Sequence, residues 1–470
     1  MKRFAIAVLI TAAAYAQKPD IAKLDRTTAP VSPEQRSFKL PPVTETKLAN
    51  GLTVVMAEDA RFPLVSMRLT FNAGTKRDAK GAMGVAAAVG AQLSQGTKGR
   101  TFRQQAEELD SLGATLTTGS TVDATRIGGM CLAENASKLL AIVADVARNA
   151  SFPDAELALY KQNIKQNLTV ARSQAAFLAN EEFRKRLFGD HPYGTLAASA
   201  EAIDKLDRTK MAEYRDAYLV PNNAYLILVG KLPVRAQLTK MIEAEFGTWP
   251  KKDVAAYVPA AIPAAKKQLV IVDKPGAVQA DVRIGRVAAT MRDQDYMAEA
   301  MGGVILGAGT NSRLFLDIRE KRGYAYDVHT EIDPLADTGT FSTVTQVRNE
   351  VAPDALKGIL DHMDAMGKER VTKEELAGAK ALANGMFLIA LEPQAGLLDQ
   401  LERMKILGMP KDSLETYTTR VNSVEPDRIV GVAKKYLVTD DDAVIVVGDA
   451  AKIEKALSDK IGKFEVVKPK

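Results

Sequence analysis

The sequence predicts an α+β fold built from two homologous α/β-roll repeats, each a sheet with helices packed on one face. Two observations carry this. First, YLVPNNAYLILVG (218–230) and YLVTDDDAVIVVG (436–448) match end to end at a constant offset of 218, each a helix ending, a polar turn and a buried strand closed by glycine. Second, GLTVVMAEDARFPLVSMRLTF (51–71) and KQLVIVDKPGAVQADVRIGRV (267–287) both read as a strand, a proline-containing turn and an alternating strand. After each opening comes a helix-rich stretch with apolar residues at helical spacing, as in SKLLAIVADVA (137–147) and PDALKGILDHMDAM (353–366). A chain of 470 residues is too long for one core, and two units of roughly 200 residues fit the usual domain size.

Five segments follow in order. Residues 1–16 read as a cleaved export signal: Lys2 and Arg3, the apolar run FAIAVLITAAA, then the small-x-small site Ala14-Tyr15-Ala16. The run falls short of the roughly 20 apolar residues of a membrane span, so no membrane anchor is expected and a periplasmic or secreted location is. Residues 17–45, rich in Pro, Lys and Thr, form an extended lead-in; 46–250 is the first repeat; 251–266, in the stretch WPKKDVAAYVPAAIPAAKK with its three prolines, is the linker; 267–470 is the second repeat.

Composition narrows the function. Hydrophobic residues at 46% and charged residues at 26% are ordinary for a globular protein. Without Lys2 and Arg3 the chain carries 61 basic against 58 acidic residues, too small and too dispersed an excess for a nucleic-acid partner. The single cysteine, Cys131, lies in the apolar-flanked GGMCLAE and has no disulfide partner. Neither GxSxG nor a phosphate-binding glycine loop occurs; GVILGAGTNSRLF (303–315) lacks the P-loop lysine and reads as a helix ending and a turn.

The helical stretch GAMGVAAAVGAQLSQGT (81–97) is almost stripped of side chains. It follows the second strand of the first repeat, and Ala87 and Ala91 sit four apart on one helical face. In an inverted zinc motif, HxxEH, those positions hold the two histidine ligands, with the general-base glutamate just before the second. Here Ala87, Ala88, Val89, Gly90 and Ala91 stand in those five places. The bare helix also suits close packing against a sheet, and Gly90, about 1 kcal/mol worse than alanine for a helix, makes room for a neighbour.

With these segments in view, the chain resembles the pitrilysin/insulinase family of zinc metallopeptidases, in its bacterial, mitochondrial-processing-peptidase-like branch. The resemblance runs from GLTVVMAED through FNAGTKRD, the bare helix with its QGT ending, LDSLGATLTTGSTVDAT, DHPYG and YLVPNNAYLILVG into the second repeat. It implies a clamshell enclosing a polar cavity, with the linker as hinge, and a third zinc ligand, a glutamate, further along the first repeat. The family interval from Ala91 falls on Asn167. Ala87, Gly90, Ala91 and Asn167 thus mark a degenerate zinc site, and no metal is expected in this chain. The three histidines, His191 in a turn, His329 at a strand end and His362 in mid-helix, lack ligand spacing and are expected to be structural.

The second repeat keeps a different element. LFLDIREKRGYAYDV (314–328) reads as a helix closed by Gly323, then a strand. It resembles the family's Arg-x6-Tyr element, matched here by Arg319 and Tyr326, which the resemblance makes substrate-binding donors. Read without the family, Arg319 would pair with Glu320 or Asp317 and Tyr326 would pack in a core. The resemblance implies a non-catalytic subunit that encloses an unfolded peptide, while a homologous HxxEH-containing partner subunit holds the zinc. An inert scaffold derived from the same family is the alternative.

Overall fold

The computed structural model describes residues 39–469. The export signal and most of the lead-in lie outside them. Two six-stranded sheets organise the chain. The first contains β1 (Val43–Lys47), β2 (Thr53–Glu58), β3 (Leu64–Phe71), β4 (Thr115–Ser120), β5 (Thr125–Leu132) and β6 (Ala224–Gly230), in the order β1-β2-β6-β3-β5-β4. The second contains β7 (Gln268–Asp273), β8 (Gln279–Ala288), β9 (Ala325–Pro334), β10 (Gly339–Arg348), β11 (Ala443–Gly448) and β12 (Glu465–Val467), in the order β12-β7-β11-β8-β10-β9.

Apart from the outermost β1 and β12, the two orders superimpose strand for strand. The matching YLV… segments supply β6 and β11, which run parallel to β2 and β7 and antiparallel to β3 and β8. The internal repeat is therefore a repeat of topology. Each half buries its own helices against one face of its sheet; Leu139, Ile142, Val143 and Val146 do this in the first half, and Leu356, Ile359 and Met363 in the second.

The other face of each sheet is covered as well. β6 and β11 are apolar along their whole length, the pattern of a strand covered on both faces. The second cover comes from the opposite half. Helix Ala175–Phe188, in the first repeat's sequence, lays Leu178, Phe183 and Leu187 on Val270, Val272, Ile445 and Val447 of the second sheet. Helix Gln394–Ile406 returns the exchange, placing Leu397, Leu398, Leu401 and Met404 on Val55, Ala57, Ile227 and Val229 of the first. Each such side chain contributes about 1.5–3 kcal/mol on burial, so this reciprocal exchange fixes one half against the other. Residues 251–266 have no regular structure, and the Tyr257 ring packs under Lys76 Nζ, 4.8 Å away, and the Arg77 guanidinium, 5.2 Å away.

A polar cavity of about 660 Å³ does lie between the halves, lined by Arg68, Asp123 and Arg126 from the first and by Asp333, Asp399 and Glu402 from the second. Glu402 is buried there. Arg68 Nη1 donates to it at 2.8 Å and Thr70 Oγ1 at 2.5 Å, while Arg126 forms an ion pair without hydrogen-bond alignment. No single helix among the described residues is long and apolar enough to cross a membrane.

Candidate functional site

The bare helix is shorter than its stretch of small residues and spans Val85–Gln92. Its start is fixed from outside. Gly84 adopts φ +97°, a conformation only glycine takes readily, and the Asp78 carboxylate accepts from Gly84 N–H at 2.7 Å and Ala86 N–H at 2.9 Å. These two N–H groups would otherwise be unpaired at the helix N-terminus. Burial pushes the Asp78 carboxyl up to about 6 despite those bonds. Asp78 closes the FNAGTKRD segment, so that segment is what aims the helix.

Gly90 decides what this corner can hold. A Cβ there would lie 2.4 Å from Ser120 Oγ, 2.5 Å from Ser120 N and 2.6 Å from Gly119 C. Two of these three atoms are backbone of β4, so a rotamer change cannot relieve the clash. Ser120 Oγ also donates to Ala86 O at 2.8 Å, tying helix to strand. The small residues of this helix and its close packing on β4 are therefore one arrangement. Where the zinc motif needs a general-base side chain, the helix backbone touches the sheet. Ala87 and Ala91 are partly exposed methyls, and Asn167 is exposed on helix Asp154–Ser173. Two methyls, a glycine and a neutral amide do not make the three-ligand set a catalytic zinc requires. These residues do not fit the metal. Among the described residues no group of three or more His, Cys, Asp or Glu is placed to hold one.

The histidines have other work. His191 is 1% exposed, and its Nδ1 accepts from Tyr193 N–H at 3.1 Å; burial lowers its pKa. His362 Nε2 lies 3.0 Å from Asp317 Oδ2. His329 falls inside β9, not at a strand end, because β9 runs on to Pro334. There it bridges Asp327 Oδ2 at 2.7 Å and Glu331 Oε1 at 3.2 Å, and its pKa rises while hydrogen bonding to His329, with Arg283 nearby, draws Glu331 down to about 2. Cys131 is buried, which pushes its thiol up to about 11 and leaves it un-ionised at neutral pH.

The second half brings Arg319 and Tyr326 together. The segment expected as an ordinary helix is a π-helix over Phe315–Lys321, closed by Arg322 N–H to Asp317 O, Gly323 N–H to Arg319 O and Tyr324 N–H to Ile318 O, each 3.0 Å. Gly323 follows at φ +63°, as its place after a helix requires. This wide turn brings the start of β9 back alongside the helix. The Arg319 Cζ lies 4.9 Å from the Tyr326 ring centroid. Tyr326 is 84% exposed, so it belongs to no core. Asp317 is committed to Arg322 at 2.8 Å and to His362, which among the described residues leaves Arg319 only a loose ion pair with Glu320 at 3.5 Å. A guanidinium and a phenol thus stand side by side with donors available. Two contributors here leave no mark in the sequence: the π-turn, which has no periodicity of its own, and Phe315, whose ring lies 4.5 Å from the same guanidinium.

Comparison with known proteins follows this division. The family model for insulinase (peptidase family M16) matches residues 53–197, and the model for the peptidase M16 inactive domain matches 205–382. The chain is 26% identical over 354 residues to an uncharacterized zinc protease of Rickettsia bellii, covering 74% of this chain and 84% of that protein. It is 20% identical over 399 residues to one from Bacillus subtilis, covering 85% and 96%. Among solved structures it is similar to a peptidase M16 inactive domain from Pseudomonas fluorescens, with a TM-score of 0.80 and 26% identity over 86% of this chain and 98% of that one. A Helicobacter pylori protease shares the fold at a TM-score of 0.80 and 18% identity, over 87% and 100%.

Proposed function

Because the chain belongs to the insulinase (M16) family of peptidases, we propose that it serves as the non-catalytic subunit of an exported two-chain zinc peptidase acting on unfolded peptides. The observation that carries this reading is the contrast inside one molecule: Gly90 is packed against β4 where the catalytic glutamate would stand, while Arg319 and Tyr326 are adjacent and accessible. In this reading the partner, a homologous chain with an intact HxxEH, supplies the metal and the base. This chain supplies the Arg319 guanidinium and the Tyr326 hydroxyl, which donate to a substrate carbonyl. Donors aimed at an oxygen that gains charge act most strongly as the transition state forms, and one such donor is worth about 10²–10³ in kcat.

The test is to assemble the chain with the HxxEH-bearing partner from its own host and follow cleavage of an unfolded peptide. Arg319→Gln or Tyr326→Phe should lower turnover about 10²-fold with the zinc content of the complex unchanged. Unchanged turnover in both variants would remove the gripping role and leave the scaffold reading. Stoichiometric zinc and cleavage in the isolated chain would overturn both.

A further inference from the structure

We propose that Phe315 is a positioning residue for Arg319, holding its guanidinium beside Tyr326 so that its N–H groups face an incoming peptide carbonyl. The inference rests on the gripping role proposed above. It starts from where Phe315 is not. Its neighbours Leu314 and Ile318 are buried in the core of the second half, whereas Phe315 is half-buried and outside that cluster. An aromatic ring left at the margin of a core needs a partner, and here the partner is a cation: Arg319 Cζ lies 4.5 Å from the Phe315 centroid and 4.9 Å from that of Tyr326. A guanidinium held by two ring quadrupoles keeps its in-plane N–H groups for oxygen acceptors. Among the described residues the one carboxylate paired with it, Glu320, is on its Nε side at 3.5 Å.

The backbone of this segment does not depend on Phe315. Asp317 anchors it through Arg322 and through His362 of helix Ala352–Met366, and Ile318 sits on Gly358, where a Cβ would come within 3.0 Å of Ile318 Cδ1. Removing the Phe315 ring should therefore free the arginine without unfolding the turn. That separates a positioning role from a structural one.

The experiment uses the full chain with isotope-labelled arginine and a fluorescein-labelled unstructured peptide. The Arg319 Nε–H resonance, identified by its loss in Arg319→Lys, should carry a ring-current displacement in the parent protein. Phe315→Leu should return it toward the free-arginine position, Phe315→Tyr should retain it, and neither should change the melting temperature appreciably. Peptide affinity, read by anisotropy, should fall about two- to fivefold in Phe315→Leu, as loss of one exposed cation–π contact implies, and recover in Phe315→Tyr. An Arg319 resonance with no displacement, or one that Phe315→Leu leaves in place, overturns the inference. So does weakened binding in Arg319→Gln with none in Phe315→Leu. If the resonance moves but neither variant changes peptide affinity, Phe315 does position Arg319 and it is the gripping role that fails.

Discussion

Helix Val85–Gln92 and its counterpart Tyr296–Gly307 occupy the same place in the two halves, and both touch the strand at the end of their sheet through a glycine. In the first half Gly90 lies on Ser120 at the end of β4; in the second Gly307 lies on β9, where a Cβ would be 2.6 Å from Thr330 Cγ2 and 2.7 Å from Thr330 N. Four residues earlier in each helix a carbonyl accepts from the same strand residue, Ala86 O from Ser120 Oγ and Gly303 O from Thr330 Oγ1, both at 2.8 Å. The match puts Ala87, Gly90 and Ala91 opposite Val304, Gly307 and Ala308. The first half thus carries around Gly90 the same packing as the second around Gly307. The halves part company just afterwards. The first continues into an ordinary helix, Phe102–Ser111, started by a Thr101–Gln104 capping box, whereas the second opens into the π-turn that carries Arg319.

The largest effect that can break this comparison comes from refilling the motif. Gly90→Glu with Ala87→His and Ala91→His restores the HxxEH letters but drives a side chain into β4. We expect a loss of stability beyond about 3 kcal/mol, or no folded protein, and no zinc retained after dialysis. Gly90→Ala is the sharper version. In a free helix this change gains about 1 kcal/mol; here it should cost about 1–3 kcal/mol, and Gly307→Ala should cost a similar amount. Urea denaturation measures both. A stabilised Gly90→Ala protein would mean that β4 yields and that the corner is only vacated.

A second contrast is electrostatic. Asp78 holds the start of the first helix, and burial raises its pKa to about 6. In the second half Glu299 is fully buried inside the helix, with Oε2 accepting from Ala289 N–H at 3.0 Å and Oε1 unpartnered, and burial raises it to about 8. Both are carboxyls whose folded-state pKa lies above the unfolded value near 4, so between the two values the folded state binds the extra proton. Stability from each is therefore present at low pH and lost as pH rises, from about 4 to 6 for Asp78 and on to about 8 for Glu299, with a slope of at most about 1.4 kcal/mol per pH unit. Glu299→Gln should flatten the stability profile between pH 6 and 8, and Asp78→Asn only below 6. If Glu299→Gln leaves the slope above pH 6 intact, the burial assignment is wrong.

How much of this was legible depends on what kind of force is at work. The two sheets were, because strands such as Leu226–Val229 and Val444–Val447 are apolar runs bounded by turns, and burial writes itself directly into residue type. The residues at Ala87, Gly90, Ala91 and Asn167 were legible too, as small or neutral side chains without imidazole or carboxylate, but their packing was not. The exchange of helices was not. Leu178, Phe183 and Leu187 announce an apolar face, but nothing in their spacing says whose sheet it covers. Nor was the π-turn, since a helix widened over seven residues leaves the apolar pattern almost unchanged, and the Arg319–Phe315 contact depends on that turn.

The smallest effect tests whether the paired corners are the same device. Ser120→Ala and Thr330→Val each remove the hydroxyl that ties strand to helix, which should cost about 1 kcal/mol apiece. The sites lie in separate sheets with no shared partner, so the double variant should equal the sum within about 0.5 kcal/mol. Ser120 Oγ also lies 2.7 Å from Thr125 Oγ1, a second bond that Thr330 lacks, so Ser120→Ala should be the costlier of the two and Thr125→Val should add little to it. If Thr330→Val proves the costlier change, the strand-to-helix tie matters more in the half that keeps the Arg319 element, and the likeness of the two corners is geometric without being energetic.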